Sequence, residues 1–536
     1  MTLEQAANLS PMKQSDDALA GGGTKGEIAL SANSYDEVAY PGGVFADTIP
    51  ERLAVVGILA GMNPAPPARS RVLELGCGDG TNVIAMAYGL PESEFVGIDL
   101  AAQPIARGQE MVSRIGLKNL SLRQMGVEEV DEDLGQFDYI VGHGLFSWVP
   151  GEVREKIMAV CAARLTANGV AFLSYNAYPG SHLRDLVRGM MRYHSSRYAT
   201  PAEQVGQARG LVRFLAENAK EGRLYRQVLV AQMERIATYL DSALFHDDLN
   251  VTNQPLYFHE FMGIAERHGL QYLGEAELPA MREPDCPAEA QAILQQLGPE
   301  DFIRGEQYRD FLRGREFRQT LLCRKDVAIK RDLQPEYVES LFVAGELQAV
   351  AETPESPAHF TGRKAVKLET ERPLVNAALR RLAATWPAFV SFRELLMLAR
   401  SEAGRVGDAS EANDRQELTT VILQAAIAGV LELRAHPPQL VAEPGEKPKA
   451  STLARLQLQT EERVSSLLHG TVQMENQLAR VLLGLLDGTR DRQSLRAAME
   501  RAARAAGDSE TVPERVSESA IEQGLIKLAR LGLLVQ

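Results

Sequence analysis

From Arg71 to Tyr175 short apolar runs alternate with longer stretches whose apolar residues recur at helical spacing. Arg71–Leu75 (RVLEL), Glu94–Leu100 (EFVGIDL), Leu120–Met125, Phe137–Gly142 (FDYIVG) and Val170–Tyr175 (VAFLSY) read as five strands. Thr81–Leu90, a stretch ending at Ile115 and another around Val153–Leu165 read as the helices between them. Strands separated by helices of this length predict an α/β fold with a parallel, doubly wound sheet.

The flanking text has a different rhythm. Residues 1–33 are small and polar, with Gly21-Gly22-Gly23, and read as a flexible tail. From Ser34 aromatics mix with a helical pattern that Pro64, Pro66 and Pro67 stop. Residues 182–250 predict helices throughout. Residues 258–281 then read as a helix, a stop at Gly269 and a strand, and 316–326 (EFRQTLLCRKD) as one more strand. Both late strands are expected in the same sheet, which makes 182–250 an insertion.

Beyond 331 the chain is helix-rich after a strand pair near Leu341–Val350 and Ala365–Thr370. A faint duplication runs through it. PLVNAALRRLAATWP (373–387) resembles MENQLARVLLGLLDG (474–488), and LTTVILQAAIAGVLELR (418–434) resembles AIEQGLIKLARLGLLVQ (520–536). The expectation is two winged-helix-like modules, 331–440 and 452–536, joined through a Pro- and Lys-containing linker at 435–451.

Composition narrows the chemistry. Of 536 residues, 45% are apolar and 24% charged, ordinary proportions for globular protein. Asp+Glu total 71 against 57 Lys+Arg, a net charge of −14. That balance disfavours nucleic acid and anionic lipid and suits a cationic substrate. Cys77, Cys161, Cys286 and Cys323 form no CxxC pair, so neither a metal site nor a disulfide framework is expected. The opening MTLEQAANLSPMKQSDD has no apolar core of a secretory signal, and no run is long enough for a membrane span. A cytoplasmic protein without membrane insertion is expected.

The strongest motif is Glu74-Leu75-Gly76-Cys77-Gly78-Asp79-Gly80, which follows the first strand and opens a helix. Glycines there let a ligand approach the backbone. The spacing is G-x-G-x-G, not the G-x-G-x-x-G that seats a pyrophosphate. Glu74 and Asp79 suit the sulfonium and ammonium of S-adenosylmethionine better than a phosphate, although Asp79 also reads as a helix cap. Asp99, ending the second strand, is placed to accept the ribose hydroxyls, and Leu100 to pack on the adenine. Gly126, Val127 and Glu128 fall where the adenine edge would lie, and His143 near the methionine end. The expected cofactor is therefore S-adenosylmethionine, with S-adenosylhomocysteine as product and no metal.

The segments SYDEVAYPGGVF, PERL, ELGCGDGTN, EFVGIDLA, GHGLFSWVP, YNAYPGSHLRDLVRGMMRYH and DFLRGREFRQTLLCR together resemble bacterial class I methyltransferases that carry a methyltransferase regulatory domain. That group includes rickettsial protein-lysine methyltransferases acting on outer-membrane surface protein. The likeness spans Ser34 to Lys325 and continues more loosely to the C-terminus. It implies a Rossmann-like catalytic domain over 34–326 with a regulatory region at roughly 206–326. It further implies N-methylation of lysine on a bacterial surface or outer-membrane protein, and it points to a homodimer. By position it places the donor at Gly76, Cys77, Gly78, Asp99, Leu100 and Glu128, and sets Tyr35, Tyr40 and Phe45 in a segment folding over it.

For the acceptor, Phe146, Trp148, Tyr175 and Tyr178 follow the fourth and fifth strands, on the edge where doubly wound folds bind ligands. An aromatic channel lowers a lysine pKa by desolvation and holds the ammonium by cation–π attraction. Asn176 and His143 supply polar groups there, with His182 a weaker candidate base. Each of these also reads as ordinary loop packing. The C-terminal modules invite a DNA-binding reading, but Leu418–Val430 carries no Arg or Lys. A small-molecule methyltransferase and a non-catalytic donor-binding scaffold remain the alternative functions.

Overall fold

The computed structural model describes residues 38, 40, 42–297, 302–349, 358–362, 366–405, 407, 410–505 and 516–535. The tail 1–33 and Tyr35 lie outside them.

A seven-stranded sheet organises the first part of the chain. Its strands are β1 (Arg71–Leu75), β2 (Glu94–Asp99), β3 (Leu120–Gln124), β4 (Phe137–Gly142), β5 (Leu165–Asn176), β6 (Leu270–Glu275) and β7 (Phe317–Arg324), in spatial order β3-β2-β1-β4-β5-β7-β6. The first five run parallel, and β7 runs antiparallel to β5 and β6. The two late strands thus complete the sheet as expected. β5 starts at Leu165, earlier than the expected Val170.

The helices end where backbone chemistry requires. Gly80, at φ 75°, turns the chain into the Thr81–Gly89 helix, and Gly116, at φ 81°, closes the Ala102–Ile115 helix. In the insertion, helices Ser181–Ser195, Pro201–Asn218 and Leu224–Ala237 pack on a core of their own that includes Val187, Met191, Val212 and Leu229. Thr200 and Glu203 cap the middle helix reciprocally, with Pro201 at its first position. The insertion closes in a π-helical turn, Leu244–Asp248. Such turns are rare and concentrate at functional sites.

Arg318 on β7 fixes the far edge of the sheet. It is fully buried, donates to Asp310 Oδ2 at 2.8 Å and Glu275 Oε1 at 2.6 Å, and lies 4.0 Å above the Phe258 ring. A buried guanidinium is tolerable only with such partners.

In the C-terminal region the expected strand pair is divided. Phe342–Ala344 lies between Val390–Ser391 and Glu432–Arg434, whereas Gln348–Ala349 and Lys367–Thr370 flank Ala358–Thr361 in a separate sheet. The duplication is visible as geometry. Helix Glu411–Ile427 turns at Gly429 into Glu432–Arg434, and helix Glu518–Arg530 turns at Gly532 into Leu534–Val535. Lys449–Ala450, expected in the linker, pairs with Leu534–Val535. Leu374, Leu395 and Ile422 share one apolar cluster with Leu53 and Val56 of the Pro50–Leu59 helix, so this core runs into that of the seven-stranded sheet. Among the described residues no helix is long and apolar enough to cross a membrane.

Candidate active site

A cavity of about 950 Å³ opens at the C-terminal edge of β1, β2, β4 and β5, between the glycine turn and the helical insertion. This is the side on which doubly wound sheets bind ligands, because helix N-termini and strand ends converge there.

The turn after β1 forms one wall. Gly76 and Gly78 have φ of 68° and 57°, and a Cβ at Gly76 would press on the Leu145 side chain. Asp99 Oδ2 accepts from the Gly78 N–H at 2.8 Å and Oδ1 from the Ala101 N–H at 2.8 Å, so this carboxylate shapes the turn as well as facing the cavity. Asp79 Oδ1 accepts from Thr81 N–H at 3.0 Å, a capping contact one residue before the Gly80 cap. Leu100 is exposed beside Val127 and Glu128.

Glu74 lies beneath the turn, 4% exposed. Its Oε1 accepts from Asn82 Nδ2 at 2.7 Å, while Oε2 is buried with no hydrogen bond of normal geometry among the described residues. Burial raises its pKa to about 8, against the lowering pull of the Asn82 amide.

The N-terminal segment forms the cover. The Phe45 ring stacks on His143 at 3.8 Å, and the Phe45 N–H donates to Asn82 Oδ1 at 3.0 Å. A Cβ at Gly42 would collide with the Thr81 and Asp79 side chains, so only glycine allows the segment so close to the turn. Burial lowers the His143 pKa to about 4, with Asp47 opposing, and the imidazole is neutral near pH 7.

The insertion forms the opposite wall. Asp248, fully buried, accepts from Arg184 Nε and Arg235 Nη2 at 2.9 Å each. Its neighbour Asp247 faces the cavity and accepts from the Tyr40 hydroxyl at 3.5 Å. Burial raises the Asp247 pKa to about 6. Carboxyl groups outnumber cations along the walls: Glu74, Asp79, Asp99, Glu128, Glu152, Asp247 and Glu316 against Arg107, Arg184 and Arg235.

Tyr40, Glu74, Gly76, Cys77, Gly78, Asp99, Leu100, Val127, Glu128, His143, Trp148 and Asn176 all line this space. Tyr175 does not. It belongs to the opposite face of β5, where its ring stacks on Phe261 at 4.2 Å and is 1% exposed. Phe146 is likewise core, edge-on to Phe261 at 5.2 Å. Tyr178 and His182 stack on each other at 3.9 Å outside the cavity lining. The aromatic channel therefore reduces to Trp148, with the Arg184 guanidinium 5.9 Å from its ring. Asn176 Nδ2 donates to Asn253 at 2.8 Å, which leaves acceptance to its Oδ1.

Sequence reasoning missed Asn82, Asp247, Arg184 and Arg235. Asn82 stands two residues beyond the glycine motif, and only its bonds to Glu74 and Phe45 give it meaning. The adjacent acids Asp247-Asp248 were visible, but no pattern signals a π-helical turn. The residues fit a cationic adenosyl donor: a glycine-lined turn, a carboxylate ending β2, an exposed leucine beside it and a buried carboxyl oxygen on β1. Among the described residues no cluster of His, Cys, Asp or Glu is placed to hold a metal.

Three family descriptions match the chain: "Methyltransferase domain" over residues 73–171, "Predicted methyltransferase regulatory domain" over 240–324, and "PKMT, C-terminal winged helix domain" over 446–533. An uncharacterized protein of Rickettsia prowazekii is 31% identical over 478 residues, covering 86% of this chain and 85% of its own length. A second from that organism is 36% identical over 241 residues, 45% of this chain and 96% of its own. The structure of PKMT2 from Rickettsia typhi, solved alone and in complex with AdoHcy, superimposes with a TM-score of 0.83 at 27% identity, covering 93% of this chain and 100% of that one.

Proposed function

From its membership of the class I S-adenosylmethionine-dependent methyltransferases, in the branch with a regulatory domain and a PKMT-type winged helix, to which the chain belongs, we propose that it methylates lysine side chains of a protein. S-adenosylmethionine, when bound here, would supply a methyl group already activated on a sulfonium. The chain's task is then to bind, orient and desolvate the two partners.

The turn Glu74–Gly80, Asp99, Leu100 and Glu128 hold the donor in this reading, with Phe45 and Tyr40 closing over it. His143, neutral and under Phe45, lines the methionine end without adding a positive charge next to the sulfonium. Trp148 and Asn176, which line the same space, are the groups this reading assigns to the acceptor.

The observation that carries a lysine acceptor is the sign of the walls. One continuous space runs from the donor turn to Asp247, and its carboxyl groups outnumber its arginines, of which Arg184 and Arg235 share Asp248. Such a space attracts a primary ammonium and repels a carboxylate or phosphate acceptor. None of the described residues lining it lies beyond Phe317, so the C-terminal modules do not wall the cavity directly. The bacterial surface protein that the resemblance implies is our proposal for the substrate.

The test is transfer of labelled methyl from S-adenosylmethionine into bacterial envelope and cytosolic protein fractions, followed by acid hydrolysis. Label recovered as Nε-methyllysine supports the reading. Label confined to carboxyl esters, hydroxyl ethers or small metabolites would overturn it and leave the methyltransferase fold standing.

A further inference from the structure

A buried side chain of the second C-terminal module reaches Asn82 beside the donor turn. His469 lies at the tip of the hairpin joining Arg463–Ser465 to Thr471–Gln473. Among the described residues it is the non-glycine residue with positive φ, 61°, a conformation L side chains rarely adopt. The tip is held there by Ser466, whose N–H donates to Gly470 O at 2.9 Å and whose carbonyl accepts from the His469 N–H at 2.9 Å. Arg434 of the first module donates to Leu468 O at 2.8 Å, and the Leu467 N–H to Gly532 O at 2.8 Å. The imidazole is 5% exposed, and its Nε2 lies 2.9 Å from Asn82 Oδ1.

The partners of Asn82 fix the direction of that bond. Its Oδ1 accepts from the Phe45 backbone N–H at 3.0 Å, and its Nδ2 donates to Glu74 Oε1 at 2.7 Å and to Thr48 Oγ1 at 3.0 Å. His469 must therefore donate through Nε2, and because burial lowers its pKa to about 3 the ring is the neutral Nε2–H tautomer. A relay results: His469 donates to Asn82, and Asn82 donates to Glu74. If His469 is removed, Oδ1 loses one of two strong donors. The amide is then less firmly held with its NH₂ toward Glu74, and the Phe45 segment and Glu74, which both bond to it, are positioned less tightly.

We infer that the second C-terminal module completes the donor site, with His469 as the positioning residue that orients Asn82 and, through it, Glu74 and the Phe45 cover. The relay links three distant parts of the chain at the donor turn, so an undocked module leaves that turn unfinished. This gives the module a task that its lack of cavity-lining residues leaves unexplained. The inference rests on the donor reading of the Glu74–Gly80 turn.

The test is calorimetric binding of S-adenosylhomocysteine to the full chain, with thermal unfolding measured in parallel. His469→Ala should weaken binding by about tenfold, the scale for losing a group that orients a ligand-holding residue. His469→Gln, whose amide nitrogen reaches where Nε2 lies, should restore most of the affinity. Tyr88→Phe is the contrast. The Tyr88 hydroxyl accepts from Thr452 N–H at 3.1 Å, a contact between the same helix and the same module but away from the turn. It should leave affinity unchanged. Should His469→Ala fail to fold, His469→Gly accepts the positive φ without strain and carries the same comparison. Wild-type affinity in both the Ala and Gly variants, or an equal loss in Tyr88→Phe, overturns the inference. A wild-type chain that binds no S-adenosylhomocysteine overturns the donor reading itself, and the relay with it.

Discussion

Phe45 lies flat on His143, ring centroids 3.8 Å apart and planes 20° from parallel. The contact joins a segment preceding the sheet to the loop after β4, across the mouth of the donor site. It buries the imidazole, and burial is what drops its pKa to about 4. Phe45→Ala should therefore return the His143 titration toward the ordinary imidazole range and speed donor release. Proton NMR of the histidine ring and stopped-flow release of S-adenosylhomocysteine measure the two effects. A His143 that still titrates near 4 in the variant would mean that Phe45 is not what shields it.

Glu74 is expected to couple donor binding to a proton. Its pKa is raised to about 8, so at pH 7 the unliganded protein holds it mostly protonated. The usual value is near 4.5, and between the two the folded state binds more protons than the unfolded one. This group thus costs stability as pH rises from about 5 toward 8. A cationic ligand favours the carboxylate, so binding should release a proton, and affinity should climb until pH passes about 8. Calorimetry at pH 7 in buffers of differing ionisation enthalpy reads the proton directly. Glu74→Gln should abolish the buffer dependence; its persistence in that variant would assign the proton to another group.

How much of this was legible beforehand depended on the range of the interactions. The glycine turn after β1 was readable because its chemistry is local: glycines at fixed offsets, a strand before, a helix after. The late strands were readable from their apolar runs. Tyr175 was misplaced because the contact that decides its face is long-range. On a strand the side chains alternate, and Ala171, Leu173 and Tyr175 share the face packed on the Phe258–Arg267 helix. Which face would meet that helix depends on 258–267, far along the chain. The same limit hid His469, whose partner Asn82 is 387 positions away.

Tyr175 therefore acts on folding, not on the acceptor. Tyr175→Ala should cost about 3–5 kcal/mol of stability, the range for emptying a packed aromatic site. Tyr175→Phe should be nearly silent, since the hydroxyl makes only a 3.5 Å contact with Thr320. Trp148→Ala should instead lower turnover while leaving the melting temperature within a few degrees. Chemical denaturation and methyl-transfer assays separate the two classes, and a Tyr175→Phe variant that folds normally but loses turnover would return Tyr175 to the site.

Asp99 carries two backbone amides of the donor wall before any ligand arrives. Asp99→Ala should weaken S-adenosylhomocysteine binding by about 1–3 kcal/mol, through the lost ligand bonds and a loosened turn together. Asp99→Asn should recover part of the loss, because its one carbonyl oxygen can still accept from Gly78. If Asn and Ala behave alike, the turn-holding role is wrong and the loss belongs to the ligand contact alone.

The acceptor side makes the sharpest pH prediction. Asp247 and Asp248 are neighbours with opposite fates, because the π-helical turn points them differently. Asp248 is neutralised by Arg184 and Arg235, whereas Asp247 meets the cavity beside Tyr40. Burial raises the Asp247 pKa to about 6, Asp248 adds to the rise, and Arg184, Arg235 and the Tyr40 hydroxyl pull the other way. Above pH 6 its carboxylate is charged and attracts an incoming lysine ammonium; below pH 6 it is neutral and the attraction is lost. With donor saturating, so that the proton on Glu74 is already settled, the acceptor KM should rise as pH falls through about 6. Asp247→Asn should raise that KM at pH 7 and erase the acid limb. A second limb, at higher pH, belongs to the lysine itself and should survive the substitution, because burial lowers an amine pKa whether or not Asp247 is present. Kinetics on a lysine-bearing substrate protein from the labelling experiment, between pH 5 and 9, decide the matter. An acid limb retained in Asp247→Asn would place ammonium recognition elsewhere on the acidic wall.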